Sequence, residues 1–427
     1  MDHFSYKNGE MHAEGVPLST IAREVGTPVY VYSTATLQRH FRVFSEAFRG
    51  LDALVCFAVK ANSNQAVLST LAHEGAGADV VSVGELERAL RAGIPAERIV
   101  FSGVGKKPSE MRRALEAGIK QFNVESEPEL EVLNDVAGKM GMTAAVSLRV
   151  NPDVDARTHH KIATGKSENK FGIAWGNAPK VYNRIKELGH VRATGVDVHI
   201  GSQLTDLEPF KLAFEKVVGL VRELRDAGHE IRHIDLGGGL GIPYDPDEET
   251  PPSPVAYGDM IKSVLGDMPC SIILEPGRLI AGNAGILLSE MLYVKEGEDR
   301  LFYIVDAAMN DLLRPAMYDA FHNILPVMEP GDNARNALVS ADFVGPVCET
   351  GDTFAKARKT VPMSPGDLVA FKSAGAYGAV MASTYNSREL VPEVLVNGDN
   401  YAVIRKRPSL DDLINLDQLP EWLGSEK

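Results

Sequence analysis

Leu54-Val55-Cys56-Phe57-Ala58-Val59-Lys60-Ala61-Asn62-Ser63 is a short apolar run that ends on a lysine. Residues 54–59 read as a buried strand. A strand apolar on both faces belongs in a parallel sheet covered by helices. Side chains alternate along a strand, so Cys56, Ala58 and Lys60 share one face while Val55, Phe57 and Val59 share the other. Two small residues and an amine on one face leave room for a bulky group. Lys60 then either snorkels to water or, partly stripped of hydration, becomes a nucleophile toward carbonyls.

Outward from this run the chain alternates strand and helix. Further strands are expected at 78–81, 98–102, 121–124, 145–150, 195–200, 233–236 and 271–274, with helices such as 85–92 and 209–227 between them. Ser82-x-x-Glu85 and Ser126-x-x-Glu129 read as capping boxes at helix starts. Eight strand–helix units point to an α/β fold, a (β/α)8 TIM barrel over residues 34–280. After residue 280 strands are expected at 285–294, 301–305, 338–344, 368–371 and 401–406. These form a mostly β C-terminal domain of 281–427 that also takes in residues 1–33, with a tight turn at Asn8-Gly9 and a strand at 28–32.

The 427 residues suffice for two domains. A net charge of −14 argues against a nucleic-acid surface. No apolar run is long enough to span a bilayer, and the start, Met-Asp-His-Phe-Ser-Tyr, has no secretory pattern. Cys56, Cys270 and Cys348 are an odd number without metal-ligand spacing, so free thiols, a cytoplasmic location and no metal are expected.

Function in such a barrel gathers at the C-terminal ends of the strands. There stand Lys60, Asp79 with Ser82, Asn123, Arg149, His199, Gly237-Gly238-Gly239 and Glu275. Asp197, His199 and Gly201 give one strand a polar face, unusual for a parallel strand. His199 is either a satisfied core histidine or a ring that stacks on an aromatic cofactor. The glycine run is either a plain tight turn or a place where backbone N–H groups approach a phosphate. Glu275-Pro276-Gly277-Arg278 aims a carboxylate inward and offers an arginine to an anion. Arg314-Pro315-x-x-Tyr318 places an arginine and a phenol on one helical face, suited to a carboxylate. Cys348-Glu349 lies in a loop, and Ala374-Gly375-Ala376-Tyr377-Gly378 presents one tyrosine. A nucleophilic lysine, a stacking histidine, a phosphate cradle and a strand-end acid together suit pyridoxal 5'-phosphate.

These motifs, together with Asn169-Lys170-Phe171-Gly172 and His199-Ile200-Gly201-Ser202-Gln203, resemble the pyridoxal-phosphate-dependent decarboxylases built on an alanine-racemase-like barrel, in particular the branch that acts on diaminopimelate. The resemblance spans nearly the whole chain. It implies that Lys60 carries the cofactor as a Schiff base, that His199 stacks on its ring and that Glu275 pairs with the ring nitrogen. Asp79, Arg149, Ser202, Gly237, Gly238, Gly239, Gly277, Arg278 and Tyr377 would complete the cofactor site. Arg278, Arg314 and Tyr318 would hold the far carboxylate of the substrate and Glu349 its far ammonium, with Tyr377 alongside. Cys348 would return a proton to carbon. Ornithine-type relatives carry an acid in the region of Arg314, so the arginine reverses the expected charge of the substrate's far end. The implied reaction converts meso-2,6-diaminopimelate to L-lysine and carbon dioxide, in a homodimer with active sites at the interface. The segment 157–170 is expected to act as a lid.

Overall fold

The computed structural model describes residues 2–155, 170–247 and 250–423. The expected lid segment, apart from Lys170, falls outside them, as does Asn169 of the quoted motif. The chain divides into two compact units, one of 34–284 and one of 2–33 with 285–427.

Eight parallel strands form the barrel of the first unit: β1 (Ala53–Ala58), β2 (Gly77–Val80), β3 (Ile99–Phe101), β4 (Gln121–Val124), β5 (Ala144–Asn151), β6 (Val191–Asp197), β7 (His233–Asp235) and β8 (Ser271–Leu274). Each pairs with the next, and β8 pairs with β1 through Leu274 and Val55, so the sheet closes as the expected (β/α)8 barrel. The two-residue strand Ile173–Ala174 adds to β5. Helices such as Val83–Arg91 and Glu208–Asp226 connect the strands. Outside the barrel wall, Phe44, Phe48, Phe210, Phe214 and Tyr257 form an aromatic cluster, with Phe210 and Tyr257 centroids 5.0 Å apart. Inside, Cys56, Val100 and Ile273 plug the barrel with Leu54 against them.

The two helix starts differ from the expected capping boxes in one detail. Ser82 and Ser126 accept from the N–H groups of Glu85 and Glu129, as a cap should. The glutamates, however, accept from Val81 and Glu125, one residue before the cap. They tie the strand exit, rather than the cap itself, to the helix.

The second unit is mostly β. Its long sheet runs in the order Thr353–Thr360, Val339–Val344, Leu301–Val305, Gly285–Glu296, Val29–Ser33, Glu393–Asn397, Asn400–Arg405. The N-terminal strand Val29–Ser33 is therefore internal, antiparallel to Gly285–Glu296 and parallel to Glu393–Asn397. Leu368–Phe371 pairs with Gly285–Glu296 and with Ile324–Pro326. The hairpin at Asn8-Gly9 joins Phe4–Lys7 to Glu10–Ala13. Val29, Val31, Ile286, Leu288, Val394 and Val396 supply much of this unit's core. Among the described residues no helix is long and apolar enough to cross a membrane.

Candidate active site

Inward-facing positions near the C-terminal ends of the barrel strands are polar, whether the inward position below is apolar or polar itself. Val100 is followed by Ser102, Gln121 by Asn123, Ser147 by Arg149, Gly195 by Asp197, His233 by Asp235 and Ile273 by Glu275. The period of two along each strand stacks these side chains in layers, as in barrels generally.

Lys60 does not continue the alternation expected of it. Strand β1 ends at Ala58, and Lys60 sits in a turn of 3-10 helix, Val59–Ala61. The Gly277 turn packs tightly on this curl: a Cβ on Gly277 would lie 2.9 Å from the Ala61 Cβ and 3.0 Å from that of Ala58. The Lys60 amine reaches Asp79 at 2.7 Å, with its side chain still 39% exposed while Asp79 is fully buried. The other Asp79 oxygen, Oδ1, is buried without a hydrogen-bond partner.

Opposite stands a buried acid cluster. Carboxylate oxygens of Asp197, Asp235 and Glu275 lie within 4.8 Å of one another. Burial, then the neighbouring Asp235 and Asp79, pushes the Glu275 carboxyl well above the usual range. Burial and Asp197 raise Asp235 to about 8. Glu275 Oε1 accepts from Asn123 Nδ2 at 3.3 Å and from Ser102 Oγ at 3.4 Å. Arg149 donates to Glu125 at 3.0 Å and packs over the Phe171 ring.

His199 lies two residues beyond the end of β6, past the strand on which the sequence reading placed it. Its Nδ1 accepts from the Gly238 N–H at 3.3 Å, which leaves the ring proton on Nε2. Burial, with Arg149 and Lys60 nearby, lowers its pKa well below the ordinary value, so the ring is neutral.

The glycine run owes its composition first to backbone packing. A Cβ on Gly238 would come within 2.3 Å of the Glu275 carbonyl, and one on Gly239 within 2.3 Å of the Gly201 carbonyl. Gly237 and Gly239 also hold positive φ, +63° and +112°, which glycine adopts without strain. Arg278 is buried and donates to Ser202 Oγ at 2.9 Å and to Tyr244 Oη at 2.7 Å. Tyr244 is a neighbour that no sequence motif marked.

The remaining candidates belong to the second unit. Arg314 and Tyr318 open and close the short helix Arg314–Tyr318. Arg314 is buried and donates to His322 Nε2 at 2.8 Å, while His322 Nδ1 donates to the Lys372 carbonyl at 2.9 Å. Cys348 is exposed, its N–H held by Asn386 Oδ1 at 3.1 Å, and Glu349 accepts from the Tyr385 hydroxyl. Asp352 fastens the loop that carries them, accepting from Val347 N at 2.7 Å and Met309 N at 2.6 Å. Tyr377 is half-buried, in a left-handed conformation at φ 56°. Ser102, Asp235, His322 and Asp352 went unassigned in the sequence. Asp235 alone left a signal there, as the residue two before the glycine run.

The barrel's donor set fits a flat aldehyde with a phosphate and a basic ring nitrogen. A half-exposed amine suits the aldehyde, a neutral imidazole the ring face, buried carboxyls the nitrogen, and Ser202 with Arg278 the phosphate.

The family description "pyridoxal-dependent decarboxylase, pyridoxal binding domain" matches residues 34–282. A diaminopimelate decarboxylase of Zymomonas mobilis is 52% identical over 98% of this chain and 99% of its own length. The solved diaminopimelate decarboxylase of Helicobacter pylori complexed with L-lysine has a TM-score of 0.89 and 42% identity, covering 93% of this chain and 98% of its own. That of M. jannaschii in complex with L-lysine has a TM-score of 0.93 and 38% identity, covering 99% of both chains. Barrel, inward-facing polar layer and full-length similarity agree: the chain belongs to the pyridoxal-dependent decarboxylases and, among them, to the diaminopimelate decarboxylase family.

Proposed function

We propose that the chain decarboxylates meso-2,6-diaminopimelate to L-lysine and carbon dioxide with pyridoxal 5'-phosphate. The observation that carries this is Glu275, a buried acid at the end of β8 in the same barrel mouth as the Lys60 amine. When bound, the cofactor supplies an electron-accepting ring that takes up the pair left as carbon dioxide departs.

Lys60 binds the cofactor and Asp79 steadies its amine. The neutral His199 would lie against the ring face, and Glu275 would hold the proton at the ring nitrogen, which keeps the ring electron-poor. Ser202, Arg278, Gly277 and the 237–239 turn hold the phosphate, and Arg149 and Tyr377 border the cofactor. Arg278, Arg314 and Tyr318 bind the substrate's far carboxylate, with Glu349 on its far ammonium and Tyr377 beside it. Cys348 delivers the proton that replaces carbon dioxide on carbon. The active form is a cytoplasmic homodimer in which Cys348 and Glu349 serve the partner's site. The chain's resemblance to its family supports these roles, and so does the chemistry of each side chain.

The test is turnover with pyridoxal phosphate and meso-diaminopimelate, beside L-ornithine, L-arginine and carboxynorspermidine. Lysine and carbon dioxide should form from diaminopimelate, with the others slower by at least roughly 10³-fold, as expected of a site built around a charged group. Preference for a substrate with a cationic far end would overturn the role given to Arg314. Bound cofactor with no turnover of any of the four would overturn the proposed reaction.

A further inference from the structure

We infer that Asn123 is the positioning residue for both Glu275 and the glycine turn, acting through a one-way chain of hydrogen bonds inside the barrel. The inference rests on the reading of Glu275 as partner of the cofactor's ring nitrogen.

The chain begins low in the barrel. His233 Nε2 donates to Gln121 Oε1. Burial lowers the His233 pKa to about 4, so the ring is neutral at physiological pH and carries its one proton on Nε2. With its oxygen thus engaged, Gln121 turns its Nε2 toward Asn123 Oδ1 at 2.7 Å. That contact in turn fixes the Asn123 amide with its nitrogen upward. Nδ2 reaches three acceptors: Ser102 Oγ at 3.1 Å, Asp235 Oδ2 at 3.1 Å and Glu275 Oε1 at 3.3 Å. Every donor points the same way, from β7 through β4 to the acids.

Asn123 is itself held on its main chain. The buried Lys106 ammonium donates to the Asn123 carbonyl at 2.6 Å and to Glu129 at 2.7 Å. Beyond Asn123 the chain closes into a ring. Asp235 Oδ1 accepts from the Gly237 N–H at 3.1 Å, and the Glu275 N–H donates to the Gly237 carbonyl at 2.7 Å. One amide therefore aligns the acid on β8 and the turn after β7 together.

Electrostatics explain why an amide stands there. Three acids with oxygens within 4.8 Å of one another resist ionisation together. A donor to Glu275 favours its charged form, the form that holds a protonated ring nitrogen, and a neutral amide does so without adding charge. Aspartate at this position would add a fourth carboxyl.

The experiment loads wild type, Asn123→Leu, Gln121→Met and Glu275→Gln with pyridoxal phosphate carrying 15N in its ring. It reads the 15N shift, cofactor affinity, and kcat and KM separately. Asn123→Leu should move the ring nitrogen toward its unprotonated shift and weaken cofactor binding roughly tenfold to a hundredfold, the effect of removing a hydrogen bond to a charged group. Its kcat should fall by a similar factor while KM stays within about twofold. Gln121→Met, which frees the Asn123 amide to turn, should shift the signal the same way but less, and carries the test if Asn123→Leu fails to fold. A wild-type 15N shift in the folded variants, with Glu275→Gln displaced, overturns the inference alone. An undisplaced Glu275→Gln overturns the reading of Glu275 beneath it.

Discussion

The barrel mouth and the loop that carries Cys348 present chemistry in opposite ways. In the barrel, Glu275, Asp235 and Asn123 are buried, stand at the ends of three strands and are tied together by the Asn123 amide, with Ser102 joining from a fourth. Cys348 and Glu349 are exposed, and their loop depends on one carboxylate, Asp352, with Asn386 at its edge. A group that must keep one protonation state is better served by the first arrangement, where neighbours and desolvation set its charge. A group that must reach a substrate and be resupplied with protons is better served by the second. The contrast is between a fixed electrostatic environment and an exposed thiol.

Substitutions at the two places should therefore fail differently. Lys60→Ala should reduce turnover by at least roughly 10³-fold and abolish the visible absorbance of lysine-bound cofactor. Retained colour and activity would remove the barrel mouth from the chemistry. Cys348→Ala should slow turnover roughly 10²-fold, the scale of a lost general acid, with cofactor absorbance unchanged. Unaltered turnover would mean that another group delivers the proton.

The smallest effect is on stability. Asp235, raised from an ordinary 3.8 to about 8, keeps its proton in the folded protein at pH values where the unfolded chain has lost it. Its contribution is complete below the ordinary value and is lost as pH rises through about 8. Melting without cofactor should fall between pH 6.5 and 8.5 by up to about 1.4 kcal/mol per pH unit. That window lies above the titration of His233, which acts in the opposite sense between its folded value of about 4 and its ordinary 6.5. Asp235→Asn should make the fall shallower, what remains belonging to Asp197 and Glu275, whose carboxyls burial raises in the same sense; a fall as steep as in the wild type would remove Asp235 from it.

The barrel was legible from the repeated alternation of short strand and helix patterns, with apolar runs such as 54–59 among the strands. All eight expected strands form, and the polar face expected of 195–200 is that of Asp197. The finer placement of Lys60 and His199 was not legible, because close approach of the Gly277 turn and the early end of β6 are tertiary facts. In the second unit, Thr353–Thr360 escaped notice because Lys356, Arg358 and Lys359 give it the composition of a solvated face, and Ala357 breaks its alternation with φ at 48°. Glu393–Asn397 begins on an acid that is buried only because the Tyr32 hydroxyl at 2.6 Å and Arg405 at 2.7 Å engage it. Such a pairing joins residues far apart in sequence, so no local pattern announces it. Cys348 and Glu349 drew meaning only from family resemblance, since an exposed loop carries no periodicity.

The internal place of Val29–Ser33 bears on the order in which the protein can be finished on the ribosome. All eight barrel strands lie within residues 53–274, so that closed sheet has its full complement once they have emerged. Val29–Ser33 is made before any of them, yet it pairs on one side with Gly285–Glu296 and on the other with Glu393–Asn397. One of the first strands synthesised thus waits for nearly the last. Through that interval it is an apolar segment with unpaired edges, the kind of surface that chaperones cover.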